Sequence, residues 1–280
     1  MHSVPVAKLP SGETVPVLGQ GTWAMGEDRR RRKDEVAALR LGLELGMSVI
    51  DTAEMYGDGG AEKVVGDAIA SRRDEVFLIS KVLPKHACRR GIIAACERSL
   101  KRLKTDRIDL YLLHWREEEE LAAVVEAFAT LADAGKIRHW GVSNFDVDDM
   151  RELVRLPGGK AVAANQAMYN LGRRGIEHDL LPWCRRRRMP IIAYSPLDEG
   201  RLARSRKLER IAQKLGATPA QVALAWLARQ KNVIAIPKAG SEAHVHENFA
   251  ALGVRLSRAD VAALDRAFPP PKRKVPLATT

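Results

Sequence analysis

Blocks of apolar residues alternate with amphipathic stretches along nearly the whole chain. The apolar blocks lie at residues 15–18, 47–50, 76–79, 108–113, 137–142, 161–164, 191–194 and 233–236. They are continuous rather than alternating, which suits strands covered on both faces in a parallel sheet. The stretches between them carry helical periodicity. Residues 34–45 place Val36, Leu39 and Leu43 on one face and then meet Gly46, a stop signal. Residues 97–103 continue a helix that ends before Thr105 and Asp106. Residues 117–134 set Leu121, Val124, Val125, Phe128 and Leu131 at helical spacing before Gly135. Thr218-Pro219-Ala220-Gln221 reads as an N-cap, a proline at the first helical position and a capping-box glutamine that open a helix over 222–227.

Eight strand candidates separated by helices predict a (β/α)8 TIM barrel, an α/β fold of roughly 250 residues; this chain has 280. A doubly wound sheet is the competitor. No linker or solenoid-length repeat divides residues 1–280, so they are expected to form one barrel domain. The tail 269–280, which opens with three prolines and then Lys272-Arg273-Lys274, is expected to be extended and solvated. In a barrel the loops after the strands carry function. Asp51 ends one apolar block, with Tyr56 five residues on; a second leads through Ser80 to Lys81, and a third ends on His114. If the strands are parallel neighbours, an acid, a phenol, an amine and an imidazole meet at one mouth, an arrangement suited to a tyrosine proton donor. Singly, each has a duller explanation as a cap, a loop anchor, a solvated amine or a core histidine.

Charge and cysteines narrow the classes. The net charge is +11, with Arg runs at 29–32 and 185–188. Nucleic-acid binding is one reading. No aromatic residues interleave the runs, so solvated helices and an attraction for a phosphorylated cofactor are preferred. Cys88, Cys96 and Cys184 lack metal-ligand spacing and are expected to be reduced thiols of a cytoplasmic protein. No block approaches the ~20 apolar residues of a membrane span, and the first residues lack the pattern of a signal peptide.

Gly19-Gln20-Gly21-Thr22-Trp23-Ala24 matches the dinucleotide fingerprint G-x-G-x-x-A. No helix pattern opens at its third small residue and no acid closes a second strand at the expected distance, so the Rossmann reading fails. The alternative is a strand end where glycines admit close backbone. Other motifs are more specific. Residues 46–57 (GMSVIDTAEMYG), 110–115 (LYLLHW), 141–145 (GVSNF) and 236–238 (IPK) together resemble the aldo-keto reductase family. The resemblance runs from about Leu18 to Leu264. From Tyr169 to Leu197 it looks most like bacterial members that reduce methylglyoxal or diketo sugar acids.

The resemblance implies a barrel that binds NADPH in extended form and reduces aldehydes, ketones or keto sugars. It maps the catalytic tetrad onto Asp51, Tyr56, Lys81 and His114. Hydride must come from a nicotinamide, since no side chain supplies it. Tyr56 would give the proton, its acidity raised by the Lys81 ammonium; Asp51 would orient Lys81, and His114 would hydrogen-bond the carbonyl oxygen. Trp23 and Trp115 are expected to wall the substrate, with Met25 and Met55 adding to the wall. The resemblance also implies that Ser143, Asn144 and Gln166 bind the nicotinamide carboxamide and that Tyr194 stacks on the ring. Ser195 and Leu197 begin a loop over the pyrophosphate. By the same resemblance Lys238 and Ser241 would be phosphate contacts, and Glu247 and Asn248 would face the adenine. His244 and His246 stand where Arg is common in relatives, and Arg is the stronger partner for a 2′-phosphate. The two histidines weaken the inference, but Lys238 still argues for NADPH, which is expected, with NADH use left open. Residues i and i+2 of a helix do not share a face, so His244 and His246 are assigned no metal. The short C-terminal segment implies an open pocket for small carbonyls. Related enzymes are often monomers, and a monomer without nucleic-acid or membrane partners is expected. The same groups run both ways, so an alcohol or polyol dehydrogenase, or a non-catalytic NADP(H)-binding barrel, stays an alternative.

Overall fold

The computed structural model describes residues 4–118 and 120–279. Strands β1 (Val6–Lys8) and β2 (Thr14–Pro16) form an antiparallel hairpin. Eight parallel strands follow: β3 (Gln20–Gly21), β4 (Val49–Asp51), β5 (Phe77–Val82), β6 (Ile108–Leu113), β7 (Ile137–Ser143), β8 (Asn165–Met168), β9 (Ile191–Tyr194) and β10 (Val233–Ala235). They lie side by side in chain order. Parallel bridges from Leu18 to Ala235 and from Gly21 to Lys238 join the first to the last and close the barrel.

Helices α1 (Arg32–Glu44), α2 (Gly60–Ile69), α3 (Arg89–Leu103), α4 (Leu121–Asp133), α5 (Val147–Leu153) and α6 (Leu180–Arg186) follow strands β3 to β8 in turn. Helices α7 (Arg206–Lys214) and α8 (Pro219–Ala228) both follow β9; α9 (Glu242–Ala250) and α10 (Arg258–Ala267) follow β10. The expected capping box opens α8: Thr218 Oγ1 accepts from Gln221 N, and Gln221 Oε1 accepts from Thr218 N. Gly46 ends the α1 segment at φ 88°, a left-handed conformation that glycine adopts without strain. Among the described residues no helix is long and apolar enough to cross a membrane.

Two apolar blocks misplace their strands. Residues 15–18 belong mostly to the hairpin and the turn after it. Val15 and Val17 pack with Ala7 and Leu9 against Val49, Phe77 and Ile234, so the hairpin plugs the barrel floor. The barrel strand itself is Gln20–Gly21, too short and polar to register as apolar. Residues 161–164 lead into β8, which begins only at Asn165. The glycine fingerprint has the backbone role expected: a Cβ on Gly21 would sit 2.7 Å from the Ile236 carbonyl oxygen, where the barrel closes.

The tail after α10 has no regular structure, as expected, but it is not simply solvated. Lys274 Nζ pairs with Asp148 Oδ2 at 3.0 Å, and Leu277 packs against the core. Val275 lies against Gly175, and Thr279 reaches the cavity described below. The tail thus reaches the rim of the cavity at Thr279.

Candidate active site

Side chains along a strand alternate between faces. Val49, Phe77, Ile79, Leu110 and Leu112 share the inner apolar cluster, whereas Ile50, Leu78, Tyr111 and Leu113 pack outward against the helices. The same parity turns Asp51, Lys81 and His114 inward, one step above that inner layer. Strand register aligns them: Asp51 pairs with Ile79, and Lys81 with Leu112. Tyr56 follows on the loop after β4, at the start of a short turn in which Gly57 and Gly59 take left-handed backbone. The four groups of the tetrad therefore meet.

Lys81 is wholly buried and uses each of its three N–H groups. Nζ donates to Asp51 Oδ1 at 2.7 Å, to the Thr52 carbonyl at 2.9 Å and to the Tyr56 hydroxyl at 3.1 Å. Because Tyr56 Oη accepts from the ammonium, its own proton is free to point into the cavity. Asp51 Oδ2 accepts from Gln166 Nε2 at 2.7 Å. Both carboxylate oxygens thus face N–H donors, and a proton on Asp51 would have no acceptor. Burial pushes the Asp51 carboxyl up against the pull of Lys81 and Gln166, but the hydrogen-bond pattern requires the ionised form. Burial pulls the Lys81 ammonium down; the Asp51 charge and the Tyr56 contact outweigh it, and its pKa is raised.

Tyr56 departs from the simplest expectation. Burial raises its pKa above the usual tyrosine value, with Asp51 adding to the rise and Lys81 opposing it. The phenol of the ligand-free protein is thus fully protonated near neutrality. That is the state a proton donor needs before reaction, and the adjacent ammonium stabilises the phenolate left afterwards. His114 is pushed down to about 3, by burial first and by the Lys81 charge second, so it is neutral. Its Nδ1 is buried and has no hydrogen-bond partner among the described residues. An unmet acceptor is tolerated more readily than an unmet donor, which assigns the proton to Nε2, the nitrogen left to face the cavity.

A cavity of about 1160 Å³ opens over these groups, large for a single small ligand. Asp51, Tyr56 and His114 line it, and Lys81 lies beneath. Trp23, Trp115 and Met55 form its wall. Trp23 is 59% exposed and meets the Tyr56 ring edge-on at 5.1 Å; the Trp115 ring lies 5.0 Å from His114. Met25 is fully buried in the core instead and is removed from that wall.

Ser143, Asn144, Gln166, Tyr194, Ser195, Leu197, Lys238, His244, Glu247 and Asn248 continue the lining. Asn144 adopts φ 59°; its Oδ1 accepts from the Tyr194 hydroxyl at 2.9 Å and its Nδ2 donates to Ser143 Oγ at 3.2 Å. The loop after β9 takes left-handed backbone at Ser195, Asp198, Glu199 and Gly200, and Asn170 Nδ2 holds the Ser195 carbonyl at 2.8 Å. On α9 the residues His244, Glu247 and Asn248 fall on one helical face. His246 does not line the cavity, and neither does Ser241, which occupies the N-cap of α9. Gln166 holds Asp51, a role beyond the carboxamide contact expected of it. Sequence reasoning missed Arg116 and Thr279. Arg116 directly follows Trp115 and could have been found; nothing local marks Thr279. Among the described residues no group of three His, Cys, Asp or Glu side chains could hold a metal ion.

Comparisons with known proteins identify the family and the fold. The sequence profile of the Aldo/keto reductase family matches residues 17–268. "Methylglyoxal reductase YeaE" of Escherichia coli (strain K12) is 54% identical over 269 residues, covering 94% of this chain and 95% of that protein. "Methylglyoxal reductase DkgB" of Salmonella typhi is 32% identical, over 90% and 94% of the two chains. The crystal structure of an aldo/keto reductase from Klebsiella pneumoniae in complex with NADP and acetate superimposes with a TM-score of 0.96 at 48% identity, covering 99% of this chain and 100% of that one. With a profile match across nearly its whole length and a barrel of the same design, the chain belongs to the aldo/keto reductase family.

Proposed function

We propose that this enzyme reduces small aldehydes and α-dicarbonyls such as methylglyoxal to alcohols with NADPH, as a one-domain barrel. The observation that carries the reading is the Lys81 ammonium held between an ionised Asp51 and the Tyr56 hydroxyl, under a cavity walled by Trp23 and Trp115. The names of the relatives support the substrate class.

The cavity suits an extended dinucleotide. Its lining runs from the tetrad past Tyr194 and the left-handed loop at Ser195 to Lys238, His244 and Asn248, so hydrogen-bonding groups, an aromatic face and a cation succeed one another. Ser143, Asn144 and Gln166 would hold the carboxamide, Tyr194 the ring face, and Lys238 a phosphate. NADPH, when bound, supplies the hydride.

The protein's own groups do the remaining work. A carbonyl oxygen seated between Tyr56 Oη and His114 Nε2 meets two donors. Neutral His114 fixes its direction and stabilises negative charge developing on it. Tyr56 gives its proton to that oxygen. Lys81 then holds the phenolate by the hydrogen bond already in place, while Asp51 and Gln166 keep the ammonium from turning. Trp23 and Trp115 exclude water from the oxygen. Initial rates over a panel of carbonyls, with NADPH and with NADH, test the reading. Methylglyoxal and 4-nitrobenzaldehyde should turn over with NADPH and a bulky steroid ketone poorly. A folded protein that reduces none of them refutes it.

A further inference from the structure

The run Arg29 to Arg32 sets four cations side by side. Two of its members have acidic partners close by. Arg30 Nη2 pairs with Asp28 Oδ2 at 2.9 Å, and Arg32 Nη2 with Asp67 Oδ2 at 2.6 Å. Among the described residues Arg31 has no acid within ion-pair distance. Its guanidinium stands instead beside Gly240, next to Lys238, which lines the far end of the cavity. A Cβ placed on Gly240 would lie 2.9 Å from Arg31 Nη2 and 3.1 Å from Lys238 Nζ. The two cationic nitrogens therefore stand within about 6 Å of each other, over a glycine whose missing side chain leaves room between them.

Two like charges this close repel unless an anion joins them. Glu35 and Glu27 act on Lys238 from farther away, and Glu35 Oε2 is engaged by the Gly26 N–H at 3.0 Å. They do not balance the pair: partial burial and the Arg31 charge hold the Lys238 ammonium below the usual lysine value. Asp28, already paired with Arg30, acts on Arg31 from beyond ion-pair distance; His244 and Glu247 also stand at this end, and Glu247 Oε1 accepts from Thr218 Oγ1 at 2.9 Å. A dianion between Arg31 and Lys238 would turn the repulsion into two charge-assisted contacts. NADPH differs from NADH only by such a dianion, the 2′-phosphate on its adenosine ribose.

We propose that Arg31, contributed by the segment between β3 and α1, clamps the 2′-phosphate of NADPH opposite Lys238 and sets the preference for NADPH over NADH. The inference rests on the NADPH reading given above. Arginine suits the task because its planar fork meets two phosphate oxygens at once, which a histidine such as His244 cannot do.

The test is the affinity of the full-length enzyme for NADPH and for NADH, read by quenching of tryptophan fluorescence, in wild type, Arg31→Ala and Arg31→Lys. Loss of a charge-assisted contact predicts about tenfold weaker NADPH binding in Arg31→Ala. NADH binding should stay within about twofold, since it presents no anion there, and Arg31→Lys should recover part of the loss. The NADPH dissociation constant of wild type should also rise more steeply with salt than that of Arg31→Ala. Unchanged NADPH affinity in Arg31→Ala overturns the proposal while leaving NADPH as cofactor. Equal weakening of both nucleotides overturns it too, by placing Arg31 on a part they share. A wild type that binds neither nucleotide would sink the cofactor reading and this proposal together.

Discussion

The two ends of the cavity are built on opposite principles. At the catalytic end every charge is answered from within the protein: Lys81 spends its three protons on Asp51, Thr52 and Tyr56, and both oxygens of Asp51 are occupied. At the end proposed for the nucleotide, Lys238 and Arg31 stand on either side of Gly240, and among the described residues neither has an acid within ion-pair distance. The first end is preorganised before any ligand arrives, as groups that must stabilise a transition state have to be. The second keeps an electrostatic tension that an anionic ligand relieves. Substitutions that break the Asp51–Lys81 pair should therefore disturb both folding and rate, and those at the nucleotide end mainly affinity.

The largest effect is expected from Lys81→Met. It strands the Asp51 carboxylate in the barrel with Gln166 as its one remaining side-chain partner, a loss of about 3–5 kcal/mol on the scale of broken buried ion pairs. Denaturant unfolding should show that loss, and turnover should fall by at least about a hundredfold. Adding Asp51→Asn to Lys81→Met removes the stranded charge. The double variant should regain most of the stability and none of the activity. If the single variant is as stable as wild type, the catalytic end is not organised around this pair.

His114 sharpens the comparison through pH. Its folded value of about 3 lies below the ordinary value of 6.5. Between those limits the unfolded chain binds the proton and the folded protein does not. The contribution of His114 to stability is therefore intact above about pH 6.5 and is lost as pH falls toward 3, by about 1.4 kcal/mol per pH unit. His114→Gln should flatten that part of the stability curve and lower kcat/KM about tenfold to a hundredfold, with little change in nucleotide affinity. A curve as steep as that of wild type would show that His114 is not buried in its neutral form.

The smallest effect belongs to the nucleotide end. Asn248→Ala removes a polar side chain that lines the cavity on the same face of α9 as Glu247. A single neutral hydrogen bond corresponds to about 0.5–1.5 kcal/mol, so the KM for NADPH should rise severalfold while kcat holds. A fall in kcat without a change in KM would mean that the two ends are not separable.

Much of this was legible in the sequence because parallel strands buried on both faces leave continuous apolar blocks. Where such a block ends on Asp51, Lys81 or His114, the polar residue had to be there for the site. The strands that escaped are those whose inner face is itself functional or minimal. β8 carries Asn165 and Gln166, and β3 is only Gln20 and Gly21, so neither shows a hydrophobic signal. The hairpin took the apolar block that the first barrel strand lacks, since Val15 and Val17 plug the floor. Long-range placements were beyond reach. Nothing local says that Thr279 returns to the cavity, that Arg31 turns to Lys238 across the barrel seam, or that Gln166 braces Asp51. The raised pKa of Tyr56 was hidden too, because burial and Lys81 oppose each other and only the packed structure shows which prevails.

The most direct test of the account is turnover of methylglyoxal with NADPH by Tyr56→Phe, with NADPH binding and unfolding measured on the same protein. The substitution deletes one hydroxyl from a buried ring and leaves the Asp51–Lys81 pair in place. The expected result is a folded enzyme that binds NADPH about as well as wild type and turns over about a hundredfold to ten-thousandfold more slowly, the loss that follows removal of a positioned general acid. Tyr56→Phe that reduces methylglyoxal at the wild-type rate would contradict it.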